Sequence, residues 1–337
     1  MTLPALSLFT GYGGLDMAVS SLMDIDLVAV SDIDAGPRAV LTRYHPAVPN
    51  LGDIKAVNWS NLPDYRVLTG GYPCQPFSAA GRRKGADDPR HLWPHVLEAI
   101  KARRPDHVFL ENVRGHLSLG FATVLEDLAA AGYEASWSIL AAASAGAPHR
   151  RERLYIYAAP GAGAYPVALP AKLPPAGRLG PAGLSPAARV DENDPRRLGE
   201  LLPTPLARDH KGAYYGSKRD GGASLADVHR LFPAPADSHD WGVFAEAVAR
   251  WTLVTGNVPP CPVKLNRNGN PQLTPEFPEW LMGLPAGYLT APELGLSRAA
   301  TMKLAGNGVV PQAASHAFAH LTAAHHAYAR TVTTCPA

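Results

Sequence analysis

Short apolar runs alternate with amphipathic stretches along the first 160 residues of the chain. Apolar runs of a few residues predict buried strands, whereas longer stretches with one apolar face predict helices. The predicted strands cover residues 6–8, 27–30, 67–68, 107–110 and 154–157. The predicted helices cover residues 15–22, 92–103 and 121–131. This alternation is typical of an α/β fold with a doubly wound sheet.

The pattern changes after residue 160. Prolines interleaved with glycine and alanine prevent both a helix and a central strand, because proline lacks a backbone donor and fixes φ. These prolines are Pro160, Pro166, Pro170, Pro174, Pro175, Pro181 and Pro186. We predict a connector over residues 161–199, followed by a smaller module with its return segment over residues 200–304.

An apolar face recurs near the end of the chain. It predicts one amphipathic helix over residues 309–329. The positions that form this face are Val310, Ala314, Ala317, Phe318 and Leu321. The order of the elements therefore predicts one discontinuous domain, residues 1–160 with 305–330, that is interrupted by an insertion.

The length and composition of the chain indicate which classes of protein it can belong to. With 337 residues the chain can bury a full α/β core and still carry a second domain. Hydrophobic residues make up 46% of it, but it contains no run of eighteen apolar residues, which is the length that predicts a membrane span. The N-terminus also lacks the basic-then-apolar pattern of a signal peptide. We therefore expect a cytoplasmic protein without a membrane partner.

Cysteine and charge content add two expectations. Cys74, Cys261 and Cys335 are too few and too scattered for a disulfide framework or a zinc cluster, so we expect a reducing compartment and no metal. The net charge is only +2, and its basic excess lies in the second half of the chain. This distribution slightly favours a nucleic-acid partner.

A glycine-rich turn follows the first predicted strand, in the order Phe9-Thr10-Gly11-Tyr12-Gly13-Gly14. Strand, glycine turn and helix in this order are typical of nucleotide binding, although such a turn is also often a simple tight connection. Asp32 follows Gly11 by 21 residues, the spacing at which dinucleotide-type folds present an acid to ribose hydroxyls. Asp53 could accept a hydrogen bond from an adenine amino group. The turn lacks the full G-x-G-x-x-G spacing, so a nucleoside with a neutral or cationic tail fits better than a pyrophosphate.

Cys74 stands where an apolar run breaks into a Gly/Pro loop, in the order Gly71-Tyr72-Pro73-Cys74-Gln75-Pro76-Phe77-Ser78. Strand ends of this kind commonly display nucleophiles, because the strand positions the side chain and the loop leaves it reachable. A lone cysteine in such a place is otherwise most often a buried turn residue.

Five segments in a fixed order resemble the motifs of the cytosine-C5 DNA methyltransferases. Two of them are the turn at residues 9–14 and the segment at residues 71–78 described above. The other three are Glu111-Asn112-Val113, His149-Arg150-Arg151-Glu152-Arg153 and Gly306-Asn307-Gly308-Val309-Val310. The resemblance covers residues 1–160 and 272–330. Two positions depart from the family pattern: His149, where Gln is more frequent, and Glu276, where Arg is common.

The resemblance implies a Rossmann-like, S-adenosylmethionine-dependent methyltransferase domain, with a smaller target-recognition domain inserted before the C-terminal helix. It implies methyl transfer to C5 of a flipped-out cytosine in a short duplex DNA site, in a bacterial cell or a phage-infected host. In this scheme Cys74 adds to C6, and Glu111 protonates or hydrogen-bonds N3 and the exocyclic amine. Arg153 holds the cytosine O2, and Arg151 orients Glu111 or the backbone around it. Ordered water is assigned the removal of the C5 proton.

The resemblance also implies a cofactor site. The residues that it assigns to S-adenosylmethionine are Phe9, Gly11, Gly13, Asp32, Ile33, Asp53, Ile54, Gly71, Pro73, Asn307 and Val309. The loop at residues 79–91 is expected to close on DNA, and its basic residues are expected to meet phosphates. The candidate DNA contacts are Arg82, Arg83 and Lys84 in that loop, and Arg208, Lys211, Lys218 and Arg219 in the second half.

Three alternatives stay open at this stage. A tRNA cytosine-C5 methyltransferase could use the same motifs, although the long variable interval argues against it. A catalytically idle DNA-binding or anti-restriction relative is disfavoured by the intact set of Cys74, Glu111 and Arg153. An NAD-linked oxidoreductase is disfavoured by the incomplete phosphate loop. We expect a protein that acts as a monomer on double-stranded DNA and has a possible companion restriction enzyme.

Overall fold

The computed structural model describes residues 2–73, 92–161, 201–211, 225, 232 and 240–333, with residues 211 and 326–333 described by their backbone alone. Several predicted site residues fall outside these ranges. They are Cys74, Arg82, Arg83, Lys84, Lys218 and Arg219.

A six-stranded sheet forms the centre of the fold. Its strands are β1 (Leu3–Leu8), β2 (Ile25–Ser31), β3 (Val67–Gly70), β4 (His107–Val113), β5 (Tyr133–Ala141) and β6 (Glu152–Pro160). In the sheet they lie in the order β2-β1-β3-β4-β6-β5. The first four in that order are parallel, and β6 runs antiparallel to both β4 and β5. A separate antiparallel pair, β7 (Val263–Leu265) and β8 (Pro271–Leu273), lies outside this sheet.

Helices connect the strands and continue after them. They are α1 (Gly14–Ser20), α2 (Ala35–Tyr44), α3 (Trp93–Arg103), α4 (Phe121–Ala130), α5 (Ala245–Thr255), α6 (Glu276–Leu281), α7 (Arg298–Asn307) and α8 (Pro311–Thr333). Ser297 caps α7 by accepting a hydrogen bond from the Ala300 backbone N–H. Within the described residues, no helix is both long and apolar enough to cross a membrane.

Alternation along the strands creates one core on each face of the sheet. Phe109, Tyr155 and Tyr157 face the first core, together with α1, α8 and much of residues 240–310. Val108 and Leu110 face the second core, together with α3 and α4. The helix that ends the described chain is therefore part of the N-terminal domain's own core.

The predicted α/β class is confirmed, and so are the predicted strands and helices, with small changes in their bounds. In the first 160 residues, α2 and β5 were not predicted from the sequence, and neither were the later elements α5, α6, α7, β7 and β8. The segment at 240–310 shares a core with α1 and α8. A separate recognition domain, with the predicted bounds of 200–304, stays a prediction.

Candidate active site

A cavity of about 550 Å³ opens at the carboxyl ends of β1, β2, β3 and β4. Open α/β sheets bind ligands at this edge, because the loops after neighbouring strands meet there. The opposite wall is made by the second half of α7 and the residues that follow it. The predicted site residues that line the cavity are Phe9, Gly11, Asp32, Gly71, Pro73, Glu111, Arg153, Asn307 and Val309.

The turn after β1 has an unusual backbone. Phe9, Gly11 and Gly13 have φ values of 53°, 58° and 85°. Glycine adopts this region without penalty, whereas a phenylalanine there is strained and must be held by its surroundings. The turn directs the Gly11 N–H at the Asp32 carboxylate, 3.0 Å from Oδ2. The loops after β1 and β2 are thereby joined at the cavity.

Asp32 has both carboxylate oxygens engaged by backbone. Oδ2 accepts from Gly11 N, and Oδ1 accepts from Asp34 N at 3.0 Å. Burial raises the pKa of Asp32, and these two backbone bonds partly oppose that rise. Ile33 beside it is 66% exposed. Across the cavity wall, Lys303 Nζ lies 2.6 Å from Asp34 Oδ2, so an ion pair links the β2 loop to α7.

Four predicted cofactor residues do not line the cavity as the structure has it. Asp53 caps a short 3₁₀ turn by accepting from Lys55 N at 3.1 Å, and Ile54 is buried in the second core. Gly13 is the N-cap of α1. Ile33 is exposed and is not part of the lining. Their roles toward a cofactor stay predictions.

Glu111 and Arg153 meet inside the cavity. Glu111 stands on β4 and Arg153 on the antiparallel neighbour β6, so the two strands deliver their side chains to one place. Arg153 Nε donates to Glu111 Oε1 at 2.8 Å. Burial raises the pKa of Glu111, although Arg153 and then Arg151 act to lower it. The carboxyl group is therefore easier to protonate than an exposed glutamate.

Arg151 has partners that the sequence did not predict. Its guanidinium donates to the carbonyl oxygens of Pro205, at 3.1 Å, Gly306, at 3.2 Å, and Gly308. Burial lowers the pKa of Arg151 to about 9, so the group stays charged at neutral pH. These bonds hold the wall of the cavity, whereas the sequence predicted that Arg151 orients Glu111 or its backbone. Its catalytic role stays a prediction.

Tyr12 closes the cavity wall from the other side. Its hydroxyl donates to Val309 O at 2.6 Å, and its ring lies between two glycines. A Cβ on Gly14 would approach the ring to 2.6 Å, and one on Gly308 would approach it to 1.8 Å. Only glycine leaves room for this ring, so the N-terminal turn and the loop after α7 pack directly on each other.

The contacts of Tyr72 with His116 and Asn112 were not predicted from the sequence. The Tyr72 hydroxyl lies 2.9 Å from His116 Nε2, and its carbonyl accepts from Asn112 Nδ2 at 3.1 Å. Tyr72 precedes Cys74 by two residues. An Asn directly after Glu111 was a visible signal, whereas nothing in the sequence pointed to His116.

His149, which departs from the family pattern, is fully buried and donates from Nε2 to Leu281 O at 2.9 Å. Burial lowers its pKa to about 3, so the ring is neutral. Arg208 lies exposed on a short 3₁₀ helix, Ala207–Lys211. In the part of the chain that the structure describes, no cluster of three or more His, Cys, Asp or Glu could hold a metal ion.

Comparison with known proteins shows what the first half of the chain is similar to. Residues 3–165 match the family model described as C-5 cytosine-specific DNA methylase. The Type II methyltransferase M.NgoBV of Neisseria gonorrhoeae is 32% identical over 168 residues, which cover 45% of this chain and 40% of the relative. The orphan methyltransferase M.SPRI of Bacillus phage SPR is 33% identical over 162 residues, or 46% of this chain and 37% of the relative. Each match therefore covers less than half of the relative's length.

Solved structures of similar fold extend over nearly the whole chain. The Dnmt2 methyltransferase of S. pombe aligns with a TM-score of 0.58 and 17% identity, covering 96% of this chain and 99% of the other. The methyltransferase EhMeth of Entamoeba histolytica aligns with a TM-score of 0.55, 17% identity and the same coverage. At this identity the likeness concerns the fold.

Proposed function

We propose, from the premise that residues 3–165 belong to the C-5 cytosine-specific DNA methylase family, that the chain is a DNA (cytosine-5)-methyltransferase. It transfers a methyl group from S-adenosylmethionine to C5 of a cytosine that has left the base stack of a short duplex site. One observation carries the proposal. The Glu111–Arg153 pair shares a cavity with the Asp32 carboxylate and with the segment that leads into Cys74.

The residues of the cavity fit S-adenosylmethionine. The Asp32 carboxylate is fixed by two backbone N–H groups, and its oxygens have further lone pairs for the ribose hydroxyls. The volume of about 550 Å³ lies in the range of small-molecule sites. Phe9 and Gly11 border the methionine and ribose side, and Asn307 and Val309 form the far wall. When bound, the cofactor supplies an electrophilic methyl group on its sulfonium.

Glu111 acts on the target base. Cytosine C5 is a poor nucleophile until a thiolate adds at C6, and that addition is easier when N3 receives a proton or a hydrogen bond. A buried carboxyl group whose pKa is raised holds its proton closer to neutral pH, so Glu111 can donate it. Arg153 holds Glu111 through Nε and directs its cationic group at the base carbonyl O2.

Cys74 is the nucleophile in this scheme. Its sulfur forms a bond to C6, which makes C5 enamine-like and able to take the methyl group. The C5 proton then leaves to ordered water, and the bond between sulfur and C6 breaks to restore the aromatic ring. The basic side chain of Arg153 favours the thiolate that the first step requires.

To test this proposal, the chain is expressed in a host that has no cytosine methylation, and the methylated cytosines in the host DNA are mapped by sequencing. We expect methylation at one short motif, and a duplex of that motif with 5-fluorocytosine should form an adduct that survives denaturation. Cys74→Ser should abolish both results. Cys261→Ser is the matched control, because Cys261 lies outside the cavity, where its thiol donates a hydrogen bond to Val263 O. An adduct formed equally well by Cys74→Ser would disprove the assignment.

Two further arms test the remaining parts of the proposal. Methyl transfer to tRNA in place of duplex DNA would favour the tRNA alternative, and binding of NAD in place of S-adenosylmethionine would favour an oxidoreductase.

The exposed Arg208 is a proposed phosphate contact of a recognition module in the second half of the chain. Arg208→Ala should then weaken binding evenly across DNA sequences and reduce its salt dependence. We place the enzyme in the cytoplasm, acting as a monomer on DNA.

A further inference from the structure

We propose that Tyr72 and His116 are positioning residues for Cys74, a role that rests on the proposed function. The Tyr72 hydroxyl lies 2.9 Å from His116 Nε2. Both side chains are buried, with 4% of Tyr72 and 2% of His116 exposed. Because Tyr72 stands two residues before Cys74, a bond that fixes Tyr72 also restricts the backbone that carries the nucleophile.

For a neutral His116 ring, the other ring nitrogen decides the direction of this hydrogen bond. His116 Nδ1 lies 2.9 Å from Leu119 O, and a carbonyl can only accept, so Nδ1 carries the proton. In the neutral ring Nε2 is then an acceptor, and the Tyr72 hydroxyl donates to it. The hydrogen bond from Nδ1 to Leu119 O holds His116 in one tautomer and one orientation. The fixed His116 ring in turn fixes the orientation of the Tyr72 side chain.

Further contacts fix Tyr72 from other directions. Its carbonyl accepts from Asn112 Nδ2 at 3.1 Å, and its ring packs on Trp93 with centroids 5.4 Å apart. The His116 ring meets the edge of Phe121 at 5.8 Å on its other side. The backbone and the side chain of Tyr72 therefore have separate anchors, and His116 anchors the side chain.

The positions of these anchors along the chain explain why the Tyr72–His116 pair affects the rate of catalysis. Glu111 and Asn112 are on β4, and His116 is in the 3₁₀ turn Arg114–Ser118 that continues β4. One continuous segment thus holds both the acid that acts on the base and the anchors of the segment that leads to Cys74. A displacement of about 1 Å between two reacting groups can cost roughly 10²-fold in rate. A shared support keeps that displacement small.

The hydrogen bond between Tyr72 and His116 lies among apolar side chains. Tyr72 belongs to the second core, whose neighbours are apolar. A Phe in its place would fill the same space, and the hydrogen bond to His116 offsets the cost of burying the Tyr72 hydroxyl. The pair selects one orientation of the Tyr72 ring, which apolar packing alone does not do.

The test compares Tyr72→Phe, His116→Gln and the double variant with the wild type. The assay is the rate of adduct formation with the 5-fluorocytosine duplex, together with kcat, the Kd of S-adenosylmethionine and Tm. We expect each single variant to slow adduct formation and lower kcat by roughly tenfold, with cofactor Kd within about twofold of wild type. The double variant should be no slower than the slower single variant, because both changes break one bond.

Tyr133→Phe is the matched control. It removes a buried hydroxyl that donates to Pro105 O at 2.8 Å, outside the cavity. We expect it to lower Tm as Tyr72→Phe does but to leave the rates unchanged. Equal rates in Tyr72→Phe and Tyr133→Phe would overturn the positioning role. Absence of any adduct in the wild type would overturn the proposed function, and the role of the pair with it. If His116→Gln does not fold, Tyr72→Phe and its control decide.

Discussion

Gly308→Ala tests whether Tyr12 and the loop after α7 form the cavity wall together. The backbone of Gly308, with φ −75° and ψ −177°, is open to any residue, so the change acts through space alone. The new Cβ would lie 1.8 Å from Tyr12 Cε1 and 2.6 Å from the Tyr12 hydroxyl oxygen. Neither atom is the end of a flexible side chain, so the ring or the loop must move.

The magnitude follows from two losses. Overpacking of this kind costs about 1–3 kcal/mol, and the bond from the Tyr12 hydroxyl to Val309 O adds about 1 kcal/mol when it breaks. A loss of 1 kcal/mol lowers Tm by about 2–4 °C in domains of 150–250 residues, and by less in larger ones. We expect Tm to fall by several degrees. Displacement of Asn307 and Val309 should also weaken S-adenosylmethionine binding by roughly tenfold, or about 1.4 kcal/mol.

Thermal unfolding and calorimetric titration with S-adenosylmethionine measure these two effects. Gly115→Ala is the matched control, because a Cβ there meets no atom within 4 Å. We expect the control to keep the Tm and cofactor affinity of the wild type. If Gly308→Ala matched Gly115→Ala in both measurements, the contact between Tyr12 and the loop would not be the wall of the site.

Three further predictions concern single carboxyl groups. Glu111→Gln should lower kcat by roughly 10²-fold and leave the Kd of S-adenosylmethionine near that of the wild type, as steady-state kinetics and titration would measure. Asp32→Ala should mainly raise that Kd, and a variant with normal Kd would contradict the role of Asp32. Burial raises the pKa of Asp16 from 3.8 to about 6, so its contribution to the free energy of unfolding is full below pH 4 and falls as pH rises through 6. Denaturant unfolding at several pH values should show a loss on the order of 3 kcal/mol that Asp16→Asn lacks.

The parts of the site that could be predicted lie at strand ends and have local signals. Asp32 was found because a glycine turn precedes it at a characteristic spacing, and the structure joins it to Gly11. Glu111 and Arg153 were found through motifs, and the antiparallel pairing of β4 with β6 brings them to 2.8 Å. Short sequence patterns are informative here because each strand positions its own terminal residue.

The parts that could not be predicted depend on contacts between distant segments. Arg151 reaches carbonyl oxygens that are 54, 155 and 157 residues away, and backbone carbonyls leave no signature in the sequence. The edge strand β5 mixes polar and aromatic residues over its first six positions and is only partly buried, so its apolar run is confined to its last three residues. His116 and Tyr72 are 44 residues apart in the chain, and the pairing of β3 with β4 brings them together.

The contacts of Arg151 limit how this chain can be divided. The segment that matches the family model ends at residue 165, yet the carbonyl groups to which the Arg151 guanidinium donates belong to Pro205, Gly306 and Gly308. A fragment that ended at the match would lack these three acceptors of Arg151, and it would also lack one wall of the cavity. The recognisable half of the sequence is therefore not a self-sufficient half of the molecule, and a split form of the protein would regain its cofactor pocket only through reassociation with the other half.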